Sequence, residues 1–284
     1  MPFWGMAHAM GPNPNSRYAR MPDDPKGEGL KAINNALARI DRATPLEAKL
    51  IHALHVLYDQ QSIPDHDDRD QAYLTAMRGL NQGYPDDPDI TALYAASYMS
   101  IRRWDYWDNE GNPKAETIPV AETLEHIIAQ GLSHPGVFHL HIHLIEASLE
   151  PERALVSADA LEATVPIAGH VVHMPSHIYI RVGQYAKAVE NNVRSQAVDR
   201  QFAKQWGDHP LPNIGTYPPV TPHPCWSCPR LHPLCGHGAG QLQNRHRNRL
   251  ANGQPHNGRS HHGSGRRKAC VLPVASAEDL RQMG

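Results

Sequence analysis

His134-Pro-Gly-Val-Phe-His139-Leu-His141-Ile-His143-Leu-Ile-Glu146 and Gly169-His170-Val-Val-His173-Met-Pro-Ser-His177-Ile-Tyr-Ile-Arg181 are two versions of one segment. His139 and His173 stand 34 residues apart, as do His143 and His177. In the Ala-rich stretches that follow, Ala154 and Ala188 repeat the same offset. A fixed period of roughly 20 to 50 residues marks stacked supersecondary units. On a helix, positions i, i+4 and i+7 share one face. That places His139, His143 and Glu146 together, and likewise His173, His177 and Ile180, with His170 one turn earlier. His139-Leu-His-Ile-His143-Leu also alternates with period two, as in the metal-binding strands of hydrolase barrels. The 34-residue register and the Ala-rich flanks favour the helix. Pro175 disfavours helix at Met174, so the second segment is expected to kink or start late, with His170 and His173 on the preceding turn.

Composition sets the bounds. Aromatics are only 6% of the 284 residues, which suits a thin helical core better than one large enzyme core. Residues 1–208 hold 18 Lys+Arg and 27 Asp+Glu, a net −9; residues 209–284 hold 9 and 2, a net +7. An acidic body argues against nucleic acid as its partner. No apolar run approaches the roughly 18 to 20 residues of a membrane helix. The start, Met1-Pro-Phe-Trp-Gly-Met-Ala-His, lacks the basic region of a signal peptide, so a cytoplasmic location is expected. Cys225, Cys228, Cys235 and Cys270 all lie in the tail, leaving the body without a disulfide or a thiolate nucleophile.

Taken in order, the chain reads as successive helices. Residues 3–10 form the first, stopped by Gly11-Pro-Asn-Pro-Asn15. A helix with no partner before it is unusual in a repeat array, and the expectation is that an N-terminal repeat is missing. Leu30, Ile33, Leu37 and Ile40 stripe a helix over 26–41. Thr44-Pro-Leu-Glu47 is a capped helix start, and that helix runs to about Tyr58. Asp65-His-Asp-Asp-Arg-Asp70 resembles a calcium loop only superficially: it lacks Gly at the sixth position, and Ala76 stands where the twelfth needs Glu. It reads as a helix cap. Helices are predicted over 70–82, 89–101 and 117–130. Trp104-Asp-Tyr-Trp107-Asp-Asn-Glu-Gly111 is an insertion whose two Trp either line a ligand groove or pack. His52, His55 and His126 read as surface or packing residues.

Three motifs together resemble a group of bacterial tetratricopeptide-repeat proteins of largely unassigned function. They are Trp4-Gly with Gly11-Pro-Asn; His134-Pro-Gly with His139, His143 and Glu146; and Gly169-His170 through His173-Met-Pro-Ser-His177-Ile-Tyr. Gly183-Gln-Tyr185-Ala-Lys-Ala188, with Pro151-Glu-Arg-Ala154 and Pro166, fits the same frame. The likeness covers about residues 1–208. It departs at Leu140-His141, where aromatic residues are expected, which weakens His141 as a functional residue. The resemblance implies that both His pairs take the fifth and ninth positions of a first helix and line a concave groove. Five His and one carboxylate then share one wall, on helices about 8 to 10 Å apart.

Residues 209–284 hold ten Pro and eight His, with no acidic residue from His209 to Ala277. Three readings stand. Cys225-x-x-Cys228 with His232 and Cys235 is a zinc knuckle, the tail is disordered, or it is a shifted reading frame of G/C-rich codons.

The expectation is therefore an all-α, tetratricopeptide-like (TPR-like) helical-hairpin solenoid over 1–208 and a Pro/His/Arg-rich low-complexity tail over 209–284. Its expected function is to bind a protein, peptide or small ligand in the His-lined groove. The alternative is a metal-dependent enzyme or metal-binding protein. Its metal candidates are His139, His143, Glu146, His170, His173 and His177, because neutral imidazole binds iron, zinc and copper and a carboxylate adds charge. Glu146 is also the candidate general base toward a metal-bound water. His139-x-x-x-His143 is not the metalloprotease motif, since Leu140 stands where Glu is required. No nucleotide-binding Gly loop and no Gly-x-Ser-x-Gly elbow is present.

Overall fold

A computed structural model describes residues 1–11 and 23–206. They are all-α: α1 (Pro2–Met10), α2 (Pro25–Leu37), α3 (Pro45–Val56), α4 (His66–Gly83), α5 (Pro88–Arg102), α6 (Thr117–Ala129), α7 (Pro135–Ile145), α8 (Leu155–Thr164), α9 (Gly169–His173), α10 (Pro175–Arg181) and α11 (Tyr185–Trp206). Short 3₁₀ turns at Ile40–Arg42 and Pro151–Ala154 precede α3 and α8. Among the described residues the only extended pairing is an isolated bridge between Trp107 and Pro113. The strand alternative for His139–Leu144 therefore falls: these residues lie inside α7. The tail readings, the zinc knuckle included, and the turn residues Pro12–Asn15 lie outside the described residues.

Local chemistry accounts for the helix starts. Pro2, Pro25, Pro45, Pro88, Pro135 and Pro175 sit where the first turn needs no N–H donor. Thr44 and Glu47 close a reciprocal capping box, Glu47 N donating to Thr44 Oγ1 at 3.2 Å and Thr44 N to Glu47 Oε2 at 2.8 Å. Asp65 accepts from the N–H groups of Asp67 and Asp68, so the acidic run is a cap, and α4 begins at His66 instead of 70. The helix predicted over 26–41 stops at Leu37. The chain must reach an extended Thr44 (φ −66°, ψ 162°) because Pro45 follows it, and a 3₁₀ turn makes that exit.

Helices pack mainly on their sequence neighbours: α1 on α2, α2 on α3, α3 on α4, α4 on α5, α5 on α6 and α7, and α7 on α8 and α10. Helices α9 and α10 both pack on α11. The 34-residue offset holds for both partners of the last two hairpins. The His-bearing helices begin at Pro135 and Gly169, and the following segments at Pro151 and Tyr185. Ala154 and Ala188, 34 residues apart, are both buried, 0% and 1% exposed, and Gly169 marks a close approach. A Cβ there would meet the Asp199 carboxylate, and Ser195 Oγ donates to its carbonyl at 2.7 Å. No described helix is long and apolar enough to cross a membrane.

The late start expected at Pro175 is not seen, and the helix breaks there for one residue. Met174 keeps helical dihedrals (φ −50°, ψ −42°), and α9 and α10 follow one another with a single-residue break. His170 and His173 thus remain on a helix, with His177 beyond the break.

Candidate metal centre

Helix α7 is set at its start by His134. Its Nδ1 accepts from Val137 N–H at 3.1 Å and its Nε2 lies 3.0 Å from Asp89 on α5. One turn further along, His139 and His143 pack with tilted rings, centroids 4.9 Å apart. From the other side α9 and α10 deliver His170, His173 and His177. His139 Nε2 and His170 Nε2 are 3.1 Å apart, and His173 Nε2 and His177 Nε2 are 3.0 Å apart. The His143 and His177 rings meet edge to face at 5.2 Å. All five imidazoles expected to share a wall are in one contiguous cluster. One nitrogen each of His139, His143 and His170 lies within 4.8 Å of the other two, and so do ligand atoms of His143, Glu146 and His177.

Glu146 organises the cluster. Oε1 is 3.0 Å from His143 Nδ1 and Oε2 is 2.5 Å from His177 Nδ1. Burial favours the neutral acid, but the hydrogen bonds from His143 and His177 outweigh it. The carboxyl is held well below the usual carboxylate range. An ionised carboxylate has no proton to give, so both Nδ1 atoms carry theirs. In neutral imidazole that leaves Nε2 a bare lone pair on each ring. His173 is positioned by another route. Asn192 Nδ2 donates to Ala188 O at 2.8 Å, which turns its Oδ1 to His173 Nδ1 at 2.5 Å. Asn192 escaped sequence reasoning; its available signal is its place four residues after Ala188.

The His143 side chain is only 8% exposed, and among the described residues no group pairs with its Nε2. Burial, then the charge of His177, depresses its pKa against the pull of Glu146. His139 lies well below the ordinary histidine value, from burial and then from His143, His170 and His177. These rings are held neutral, which is the form that binds metals. Two nitrogens on one tetrahedral zinc, each about 2.05 Å from the ion, stand roughly 3.3 Å apart, close to the His139–His170 spacing. Donor type, protonation and spacing all fit a nitrogen-ligated divalent metal.

The other sequence candidates separate by their partners. His141 is fully buried, with Nδ1 2.8 Å from Ser157 Oγ and Nε2 3.3 Å from Glu125 Oε1, which Arg153 also grips through two bonds of 2.9 Å. It ties α7 to α6 and α8 and takes no part in the cluster. His126 is half exposed and sits 2.8 Å from Asp86. Trp107 packs, its Nε1 donating to Leu144 O at 2.6 Å; Trp104 stands 45% exposed with its ring 4.6 Å from that of His143.

No family model, no curated protein and no solved structure matches this chain. A functional reading therefore rests on the geometry of the cluster.

Proposed function

We propose that this protein binds a divalent transition metal through His139, His143 and His170. Glu146 acts behind the ligands, and His173 and His177 extend the same polar cluster. The observation that carries the reading is the buried Nε2 of His143, unpaired among the described residues, on a ring that offers a nitrogen within 4.8 Å of those of His139 and His170. A buried acceptor without a partner costs about 1–3 kcal/mol, which a bound cation relieves. Three imidazoles without thiolate suit zinc or copper. The two-His, one-carboxylate iron arrangement is less well served, because both Glu146 oxygens are engaged by imidazole Nδ1 atoms. The same engagement and its low pKa make Glu146 a weak general base and a strong orienting group. Three protein ligands leave a tetrahedral metal one position for water or a substrate atom, the arrangement of hydrolytic zinc sites.

The expected groove for a protein or peptide partner gains less support. The central rings pack on one another and His143 is nearly sealed, whereas a peptide groove presents its polar side chains to solvent. What survives of that expectation is a small ligand at the open position.

The test is metal content of the full chain beside His139→Ala/His143→Ala, by plasma mass spectrometry. The variant reports whatever the Cys and His of the tail collect. We expect about one more metal per chain in the parent. Equal content in two proteins of equal helicity rejects the reading.

A further inference from the structure

The insertion between α5 and α6 holds its backbone in a conformation that side chains rarely adopt. Arg103 has φ 44° and Trp104 φ 72°, two consecutive left-handed residues, neither of them Gly. Such strain persists only where the surroundings impose it, and it gathers at functional sites. Here the surroundings are explicit. Arg103 N donates to Met99 O at 2.8 Å, and buried Tyr106 is locked by Thr117 Oγ1 and Lys114 N, each donating to its carbonyl at 2.9 Å. Trp107 is pinned on Leu144. Packing of the insertion is thus supplied by Tyr106 and Trp107. Trp104 leans on Tyr106 (ring centroids 6.3 Å, 54°), yet it is the residue the strained turn displays: a large apolar ring, 45% exposed, set edge-to-face on His143 (4.6 Å, 78°).

We propose that Trp104 is the stacking surface for the ligand of the metal centre, and that this ligand is a planar aromatic molecule bearing a metal-binding oxygen or nitrogen. The inference rests on the metal reading above and names the substrate class for the same site. The scale fits. A metal about 2 Å from a nitrogen of His143 lies at most roughly 8 Å from the indole centre, since that nitrogen is about 1 Å from its own ring centre. A ligand whose donor atom is carried on a six-membered ring through a short planar group spans that interval. Its ring meets the indole in the offset or edge-to-face contact that aromatic pairs prefer. A saturated ring of the same size fills the space without that contact.

The experiment uses the zinc-loaded full chain. Benzohydroxamate, cyclohexanecarbohydroxamate and acetohydroxamate are titrated by calorimetry into the parent, Trp104→Ala and Trp104→Phe. Zinc content is measured before and after each titration. We expect benzohydroxamate to bind about three- to tenfold more tightly than the cyclohexyl probe. The preference should vanish in Trp104→Ala and largely return in Trp104→Phe. Zinc retained with no aromatic preference in the parent, or with the same preference in Trp104→Ala, overturns this inference and leaves the metal centre standing. Zinc no higher than in His139→Ala/His143→Ala overturns both. A Trp104→Ala protein that loses helicity is set aside for Trp104→Leu, which must also lose the preference.

Discussion

Replacing Glu146 by Gln tests the cluster at its hinge. The substitution keeps the shape and removes one acceptor oxygen, putting an amide N–H₂ in its place. Two Nδ1–H donors now face that group, at 3.0 Å from His143 and 2.5 Å from His177. Only one can find the remaining oxygen. The other ring meets a donor and must move its proton to Nε2, where it blocks the lone pair a metal needs. If His143 is the ring that switches, the centre loses a direct ligand; if His177 switches, its Nε2 turns a proton toward His173. Loss of the group orienting a His ligand ordinarily costs 10–100-fold in metal affinity, or about 1.4–2.7 kcal/mol. The assay is competition against a chromogenic chelator with the full chain, subtracting the His139→Ala/His143→Ala background. Affinity within about threefold of the parent, in a Glu146→Gln protein of unchanged helicity, would refute the claim that this carboxylate fixes the tautomers.

Away from the cluster, Glu125 gives a pH signature. Its carboxyl is lowered to about 2, first by the His141 hydrogen bond and then by Arg153, both outweighing burial. A depressed folded-state value means the stabilisation is complete above the unfolded value near 4.5 and is lost as pH falls from there toward 2. The group is partly exposed, so the contribution is about 1 kcal/mol after solvent screening. Urea melts at pH 6 and pH 3 should differ less in Glu125→Gln than in the parent, and an unchanged difference counts against the bond. Thr44→Ala removes half of the capping box at α3 and should cost about 1 kcal/mol, seen as a melting temperature lower by roughly 2–4 °C. Trp107→Phe strips the donor from Leu144 O and should destabilise by about 1–3 kcal/mol while leaving metal stoichiometry intact; a lost metal would show that the insertion does more than pack.

The parts of this protein legible in its sequence are those decided within a turn or two of chain. Thr44 with Glu47 announces a helix start, and Asp65 a cap, because a cap's partner lies three residues away. The shared face of His139, His143 and Glu146 is legible for the same reason, since helical geometry alone brings them together. The division of labour inside that face is not local. His141 lies between two cluster residues in sequence, yet Ser157 and Glu125, 16 residues away on either side, make it a structural tie. Glu146 reads as a ligand or base by its type. Its role is set instead by His177, 31 residues on, which claims the second oxygen. Trp104 and Trp107 are indistinguishable as letters; the left-handed turn at Arg103 and Trp104 exposes one ring and leaves the other bound to α7. Residue type thus fixed which chemistry was available. The identity of the atom left without a partner, His143 Nε2, required every neighbouring donor and acceptor to be counted, and it is that atom which turns a patch of histidines into a candidate for one particular cation position.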